Sequence, residues 1–196
     1  MDKITLETWQ RVREGAQVVE ADPWGDKVLL LPDGTYVKLF RRKRLISSAA
    51  WYPYARRFAD NALALAARGI PCPRVIDVLR IPAIERDAVH YHPLPGRTLR
   101  AIVRERIQAD EYACLHDAFN LFVRRLHDQG IYFRSLHLGN VVMTPLGELG
   151  LIDISDIRVH RRALSRFWRM RNLRRMEAIA DEREWIDRDT ILARRP

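Results

Sequence analysis

From Arg134 to Asn140 the chain reads Arg-Ser-Leu-His-Leu-Gly-Asn, and Asp153 stands thirteen residues beyond Asn140, after the apolar run "LGLI". The amide oxygen of Asn140 and the carboxylate of Asp153 are oxygen donors, the kind a hard cation needs. His137 carries an imidazole, which titrates near neutrality and can act as a base or touch a phosphate. Ser135 is uncharged, so alone it cannot serve as a base at neutral pH. The types and spacing therefore favour chemistry on an anionic, metal-held group.

The rest of the chain is rich in positive charge. It has 196 residues and a formal net charge of +9, which favours an anionic partner. The charge is clustered. "RRKR" runs from Arg41 to Arg44, and between Arg161 and Arg175 there are seven arginines and no acid. Arginine suits bidentate contact with phosphate. No nucleic-acid motif has the required spacing, so nucleic acid is not the expected partner. No apolar run approaches the ~20 residues that span a bilayer. The opening "MDKITLETWQ" has no apolar segment of signal-peptide type. Cys72 and Cys114 lack metal spacing and read as two buried thiols of a cytoplasmic protein.

The elements that must position these residues emerge from pattern. Residues 16–21, 27–31 and 35–40 read as strands, the last two joined by "PDG". In the third, Tyr36, Lys38 and Phe40 share one face, and Val37 and Leu39 the other. Residues 49–69 read as a helix with an apolar stripe of Phe58, Ala62, Leu65 and Ala66, stopped by Gly69. Strands come next at 74–81 and 87–92, then the Pro- and Gly-rich linker "PLPGRTL". A short helix beginning at Thr98 precedes a long one over 109–130, whose stripe holds Tyr112, Leu115, Phe119, Phe122, Val123 and Leu126. A hairpin around "TPLGE" leads to Asp153, and an arginine-rich amphipathic helix covers 164–179. In it Phe167, Trp168, Met170, Leu173 and Met176 interleave with the arginines, and that apolar side is expected to pack. Strands with one helix followed by helices is an α+β order.

This order, with "LHDQGIYFRSLHLGN" followed by "LGLIDIS", resembles the protein-kinase-like fold. It is most similar to the lipopolysaccharide kinase (Kdo/WaaP) family, which includes members called toluene tolerance proteins. The resemblance covers roughly residues 16–175. It implies a two-lobed α+β protein: a small β-rich N-lobe with one helix over 1–92, and a reduced, mainly helical C-lobe over 93–196.

The resemblance also implies site roles. Lys38 in "YVKLF" falls where the family's ATP-binding lysine lies, with Asp60 as its candidate partner in the following helix. Gly25, alone in "EADPWGDK", falls in the phosphate-covering turn. His90, Tyr91 and His92 fall at the hinge that meets adenine. Asn140 and Asp153 become Mg²⁺ ligands. Arg134, Ser135 and His137 occupy the catalytic loop, with Ser135 where the family places its aspartate and His137 where a phosphate-contacting lysine often stands. The implied activity is ATP-dependent phosphorylation of an alcohol group on a Kdo or heptose sugar of the lipopolysaccharide inner core. The implied partners are that core or another phosphorylated glycolipid, and the anionic inner face of the inner membrane. Because Ser135 cannot be the base, a catalytically impaired pseudokinase or scaffold of envelope biogenesis stays open beside the active kinase.

Overall fold

The computed structural model describes residues 1–41, 52–105 and 108–193. Arg42 to Arg44 of the first basic cluster and the expected helix start at 49–51 lie outside them. The protein is α+β, a β-rich N-terminal part followed by a mainly helical one. It divides into two compact units, Met1–Leu63 with Cys72–Pro93, and Ala64–Pro71 with Leu94–Pro196.

The first unit is built on a six-stranded sheet. Its strands are β1 (Asp2–Lys3), β2 (Gln17–Asp22), β3 (Gly25–Leu30), β4 (Tyr36–Arg41), β5 (Arg74–Ile81) and β6 (Arg86–His92), in the order β1-β5-β6-β4-β3-β2. All neighbours are antiparallel except β1, which runs parallel to β5. The alternation expected in β4 is present. Val37 and Leu39 are buried, and Tyr36, Lys38 and Phe40 are half-buried.

Helix α1 (Leu6–Arg13), which no sequence pattern anticipated, lies over this core. Thr5 caps it by accepting the Thr8 N–H at 3.1 Å. Its Trp9 joins Leu29, Leu31, Val37, Leu39, Leu79, Ile81 and Ala88 in one apolar cluster.

Helix α2 (Tyr54–Ala66) is shorter than the expected 49–69. Phe58, Ala62 and Leu65 are buried as the stripe requires, but Ala66, the last residue of the helix, is exposed. The cysteines also depart from expectation. Cys72 is half-buried and donates its thiol to the Ala62 carbonyl at 3.4 Å, while Cys114 is exposed on the polar side of its helix.

The second unit holds α3 (Leu99–Arg104), α4 (Ala109–Asp128), α5 (Arg166–Glu177) and α6 (Arg188–Leu192). It has two small sheets. One is β10 (Leu149–Leu151), β9 (Val141–Met143) and β7 (Arg97–Thr98). The other pairs β8 (Ile131–Phe133) with β11 (Ile157–Val159). Gly96 lets the linker approach β9. Its φ is +134°, and a Cβ there would sit 2.1 Å from the Met143 carbonyl oxygen.

The stripe of α4 is buried except Tyr112, which is half-exposed with its ring 4.7 Å from that of the buried Trp185. Two polar contacts lock α4 to the segment Trp185–Asp187. Asn120 donates to the Trp185 carbonyl at 3.0 Å and accepts the Asp187 N–H at 2.9 Å.

Helix α5 is pinned beneath β8 through Asn172. Its Nδ2 donates to the Phe133 carbonyl at 2.8 Å, and its Oδ1 lies 3.0 Å from His127 Nε2. Leu173 and Met176 pack as expected. Phe167 does not. It lies in the first turn of α5 and is 66% exposed, while the buried residues of the helix are Asn172, Leu173 and Met176. Trp168 rests on Tyr132, ring centroids 5.0 Å apart. Among the described residues, no helix is long and apolar enough to cross a membrane.

Candidate functional site

Residues 134–156 are held by short-range backbone geometry. Strand β8 ends at Phe133, the Leu136 N–H turns back onto the Phe133 carbonyl at 3.3 Å, and a 3-10 turn, Leu138–Asn140, carries the chain into β9. The β9–β10 hairpin returns it so that the Ile152 N–H donates to the Asn140 carbonyl at 3.0 Å. This bond ties Asn140 to Ile152, the residue before Asp153, although the two are twelve positions apart.

Asn140 is buried, and its Nδ2 donates to the Ser135 carbonyl at 2.8 Å. Its amide is therefore oriented, with Oδ1 as the atom able to accept a cation. Asp153 is exposed and has a left-handed backbone, φ +54° and ψ +41°. A non-glycine residue held there carries backbone strain, which clusters at functional positions. Together the two offer hard oxygen ligands from a fixed loop and a strand end. No group of three or more His, Cys, Asp or Glu side chains that could hold a metal occurs among the described residues. A donor set this small suits Mg²⁺, which keeps several waters and takes other oxygens from substrate phosphates.

His137 is half-buried, and its Nδ1 lies 3.2 Å from Arg100 Nη2. A guanidinium can only donate. Nδ1 must therefore accept, which leaves the proton of the neutral ring on Nε2. Burial first, then the Arg100 charge, pull the His137 pKa below its usual range. In this arrangement the outward nitrogen can donate to a phosphate oxygen but cannot take up a proton. Arg100 is itself held by Glu182, whose Oε1 accepts from Nε at 2.7 Å and whose Oε2 accepts the Leu138 N–H at 2.8 Å. Arg134 is exposed beside Ser135, and its charge acts on Asp156.

Ser135 donates its hydroxyl to Asp156 Oδ2 at 2.5 Å. Asp156 ends the 3-10 turn Ile154–Asp156 that comes after Asp153. Burial raises its pKa, the Ser135 hydrogen bond opposes that rise, and the negative charge of Asp153 adds to it. Sequence reasoning did not single out Asp156, Arg100 or Glu182. Each reaches the loop from a distant element, and no local spacing marks it.

The first unit carries the other expected residues. Lys38 lies mid-sheet in β4, paired with Val28 and Val89, with its ammonium 5.9 Å from the centre of the Phe40 ring. Asp60 accepts from Tyr52 Oη at 2.8 Å and from Arg56 Nε at 3.1 Å. Partial burial of the Tyr52 hydroxyl, and then the Asp60 carboxylate it donates to, push its pKa up to about 12.

Gly25 opens β3 opposite Asp22 with φ +114°, a conformation that favours glycine, and nothing would meet a Cβ there. His90 lies 2.7 Å from the Thr35 hydroxyl through Nε2. Tyr91 lies between Tyr36 and Phe58, with ring centroids at 6.0 and 5.2 Å. His92 ends β6 opposite Arg74. Within this unit the side chains of His90 and Tyr91 are thus engaged in packing and hydrogen bonding, and their backbone is paired with β4 on one side and β5 on the other, whereas His92, at the end of β6, is paired only with β5.

No protein-family model matches the chain, and no curated protein matches it. Among solved structures, the chain is similar to the bifunctional kinase-methyltransferase WbdD, with a TM-score of 0.43 and 18% identity. The match covers 64% of this chain and 28% of that one. The resemblance to lipopolysaccharide kinases therefore stands on the sequence motifs.

Proposed function

We propose that the protein is an ATP-dependent, kinase-like phosphotransferase whose acceptor is a sugar hydroxyl, on a Kdo or heptose residue of a lipopolysaccharide inner core. The observation that carries this reading is the Ile152-to-Asn140 backbone bond, which brings an oriented amide and the strained Asp153 to one loop beside Ser135 and His137. Asn140 and Asp153 would hold Mg²⁺, and the metal would neutralise phosphate charge. Lys38 would hold the α- and β-phosphates, the turn at Gly25 would cover them, Asp60 would act on the Lys38 side, and the segment His90, Tyr91 and His92 would meet the adenine through its end at His92, where the pairing with β4 has stopped. His137 would donate Nε2–H to a phosphate oxygen, and Arg134 would steer the anionic acceptor.

The exposed arginines of α5, Arg166, Arg171, Arg174 and Arg175, flank the exposed Phe167. This surface would rest on anionic headgroups at the cytoplasmic face of the inner membrane, where such an acceptor is assembled. The uncharged Ser135 favours a second reading, a pseudokinase or scaffold that binds nucleotide or anionic glycolipid without turnover.

The deciding experiment is phosphoryl transfer by the purified protein from Mg-ATP to defined inner-core acceptors. Transfer to a Kdo or heptose hydroxyl is expected. Thermal stabilisation by Mg-ATP with no transfer to any acceptor would overturn the enzymatic reading in favour of the scaffold.

A further inference from the structure

Ser135 stands where the phosphotransferase reading calls for a carboxylate, and the structure brings one to it. The route is the pairing of β8 with β11. Phe133 sits opposite Ile157, so the residues just after Phe133 and just before Ile157 emerge at the same end of the two-stranded sheet. Ser135 is the second residue after Phe133, and Asp156 immediately precedes Ile157. Their side chains meet at 2.5 Å, with Ser135 donating to Oδ2. The other carboxylate oxygen, Oδ1, is buried and takes no hydrogen bond among the described residues. The Ser135 carbonyl is fixed independently by Asn140 Nδ2 at 2.8 Å. The hydroxyl hydrogen is thus committed to Asp156, while Ser135 is an exposed residue of the loop whose oxygen keeps lone pairs able to accept.

We propose that Ser135 and Asp156 together replace the single catalytic carboxylate: Ser135 touches the acceptor hydroxyl, and Asp156 receives the proton through it. The proposal rests on the phosphotransferase reading. In the step, the acceptor O–H bond breaks as its oxygen bonds to the terminal phosphorus of a nucleoside triphosphate. The bridging P–O bond breaks, and its electron pair leaves on the diphosphate. The acceptor's proton passes to Ser135 Oγ as the Ser135 hydrogen passes to Asp156 Oδ2, from which it is later lost to water. Ser135 is the catalytic residue and Asp156 acts through it. The charged groups facing Asp156 are Asp153 and Arg134. The relay answers the missing-base problem without asking anything of His137, whose outward nitrogen is a donor.

The test uses Ser135→Ala, Asp156→Asn, the double variant, and Ser135→Asp combined with Asp156→Asn. Each single change should lower kcat about 100-fold, the lower range for a positioned base, with KM for ATP unchanged. The double variant should be no worse than either single one, because the two act as a unit. Ser135→Asp should recover activity in the Asp156→Asn background, which a merely structural role would not allow. In the ligand-free protein, the carboxyl ¹³C titration of Asp156 should move to higher pH in Ser135→Ala, since a hydrogen bond to the ionised form is lost. A kcat within twofold of wild type in Asp156→Asn, or an unmoved titration in Ser135→Ala, would overturn the relay. Those outcomes leave wild-type turnover intact, whereas a wild type that neither binds nor turns over Mg-ATP sinks the phosphotransferase reading itself.

Discussion

The Leu138 N–H donates to Glu182 Oε2 at 2.8 Å, joining the loop that carries His137 and Asn140 to a carboxylate 44 residues further along the chain. The other oxygen of Glu182 takes Arg100 Nε at 2.7 Å, and Arg100 reaches His137. One buried acid thus sets both the backbone of the loop and the tautomer of its histidine.

Glu182→Ala should therefore act on function through geometry. It leaves a buried N–H without an acceptor, a loss of about 1–3 kcal/mol, and it frees Arg100. We expect a lower denaturation midpoint in urea together with a loss of phosphoryl transfer. Glu182→Gln, which can still accept from Leu138, should keep more of both. Equal behaviour of the two variants would show that the acceptor does not matter.

Asp153→Ala should abolish Mg-ATP binding, measured by calorimetry on protein whose circular dichroism shows it folded. Asn140→Ala should weaken Mg-ATP binding as well, but it also removes the hydrogen bond to the Ser135 carbonyl. Undiminished turnover in Asp153→Ala would sink the kinase reading.

His127 predicts a pH dependence of stability. It is fully buried, and Asn172 Nδ2 is committed to Phe133, so His127 must donate Nε2–H to Asn172 Oδ1, while its Nδ1 has no partner among the described residues. Burial is the main cause that pushes its pKa down to about 4, below the usual 6.5. The unfolded chain therefore binds this proton first. The stabilising contribution is fully present above pH ~6.5 and is lost as pH falls towards 4, a change of about 3 kcal/mol. Urea unfolding of His127→Gln between pH 7 and 4.5 should show a flatter slope than the wild type. An identical slope would refute the assignment.

The α5 surface predicts lipid dependence. Replacing Arg171, Arg174 and Arg175 with glutamate should abolish sedimentation with vesicles containing phosphatidylglycerol, with about 1 kcal/mol lost per arginine removed. Arg169 is left out because it is half-buried, bonded to Asp128 at 2.5 Å and to the Leu164 carbonyl at 3.0 Å. Binding that persists in the triple variant would remove the membrane from the proposed function.

Local chemistry explains which parts could be read from sequence. Strand β4 showed itself because Val37 and Leu39 alternate with Tyr36 and Lys38, and the long helix because its stripe, Tyr112 to Leu126, runs through about four turns. Helix α1 has one cap residue, Thr5, and its packed face rests mainly on Trp9 with help from Val12, too few apolar positions to establish a period. Strands β8 and β11 are three residues each and carry no alternation long enough to detect. Asp156 depends on that pairing, and Glu182 and Arg100 depend on the path of the C-terminal segment. Phe167 shows the reverse failure, since its helical spacing suggested packing, yet among the described residues no element covers the first turn of α5 on that side.

The six-stranded sheet also bears on how the protein avoids itself. On one side the two-residue β1 covers β5 only at Leu79 and Arg80, and the rest of that edge is interrupted at Ile76, where β5 slips register between Val75 and Asp77. On the other, β2 exposes Val18 and Val19, but Val19 bulges out of register, and a second irregularity comes at Glu20. An incoming strand from another molecule needs a straight, uninterrupted row of free amides and carbonyls. Neither edge supplies one, so two exposed valines on a peripheral strand need not seed aggregation.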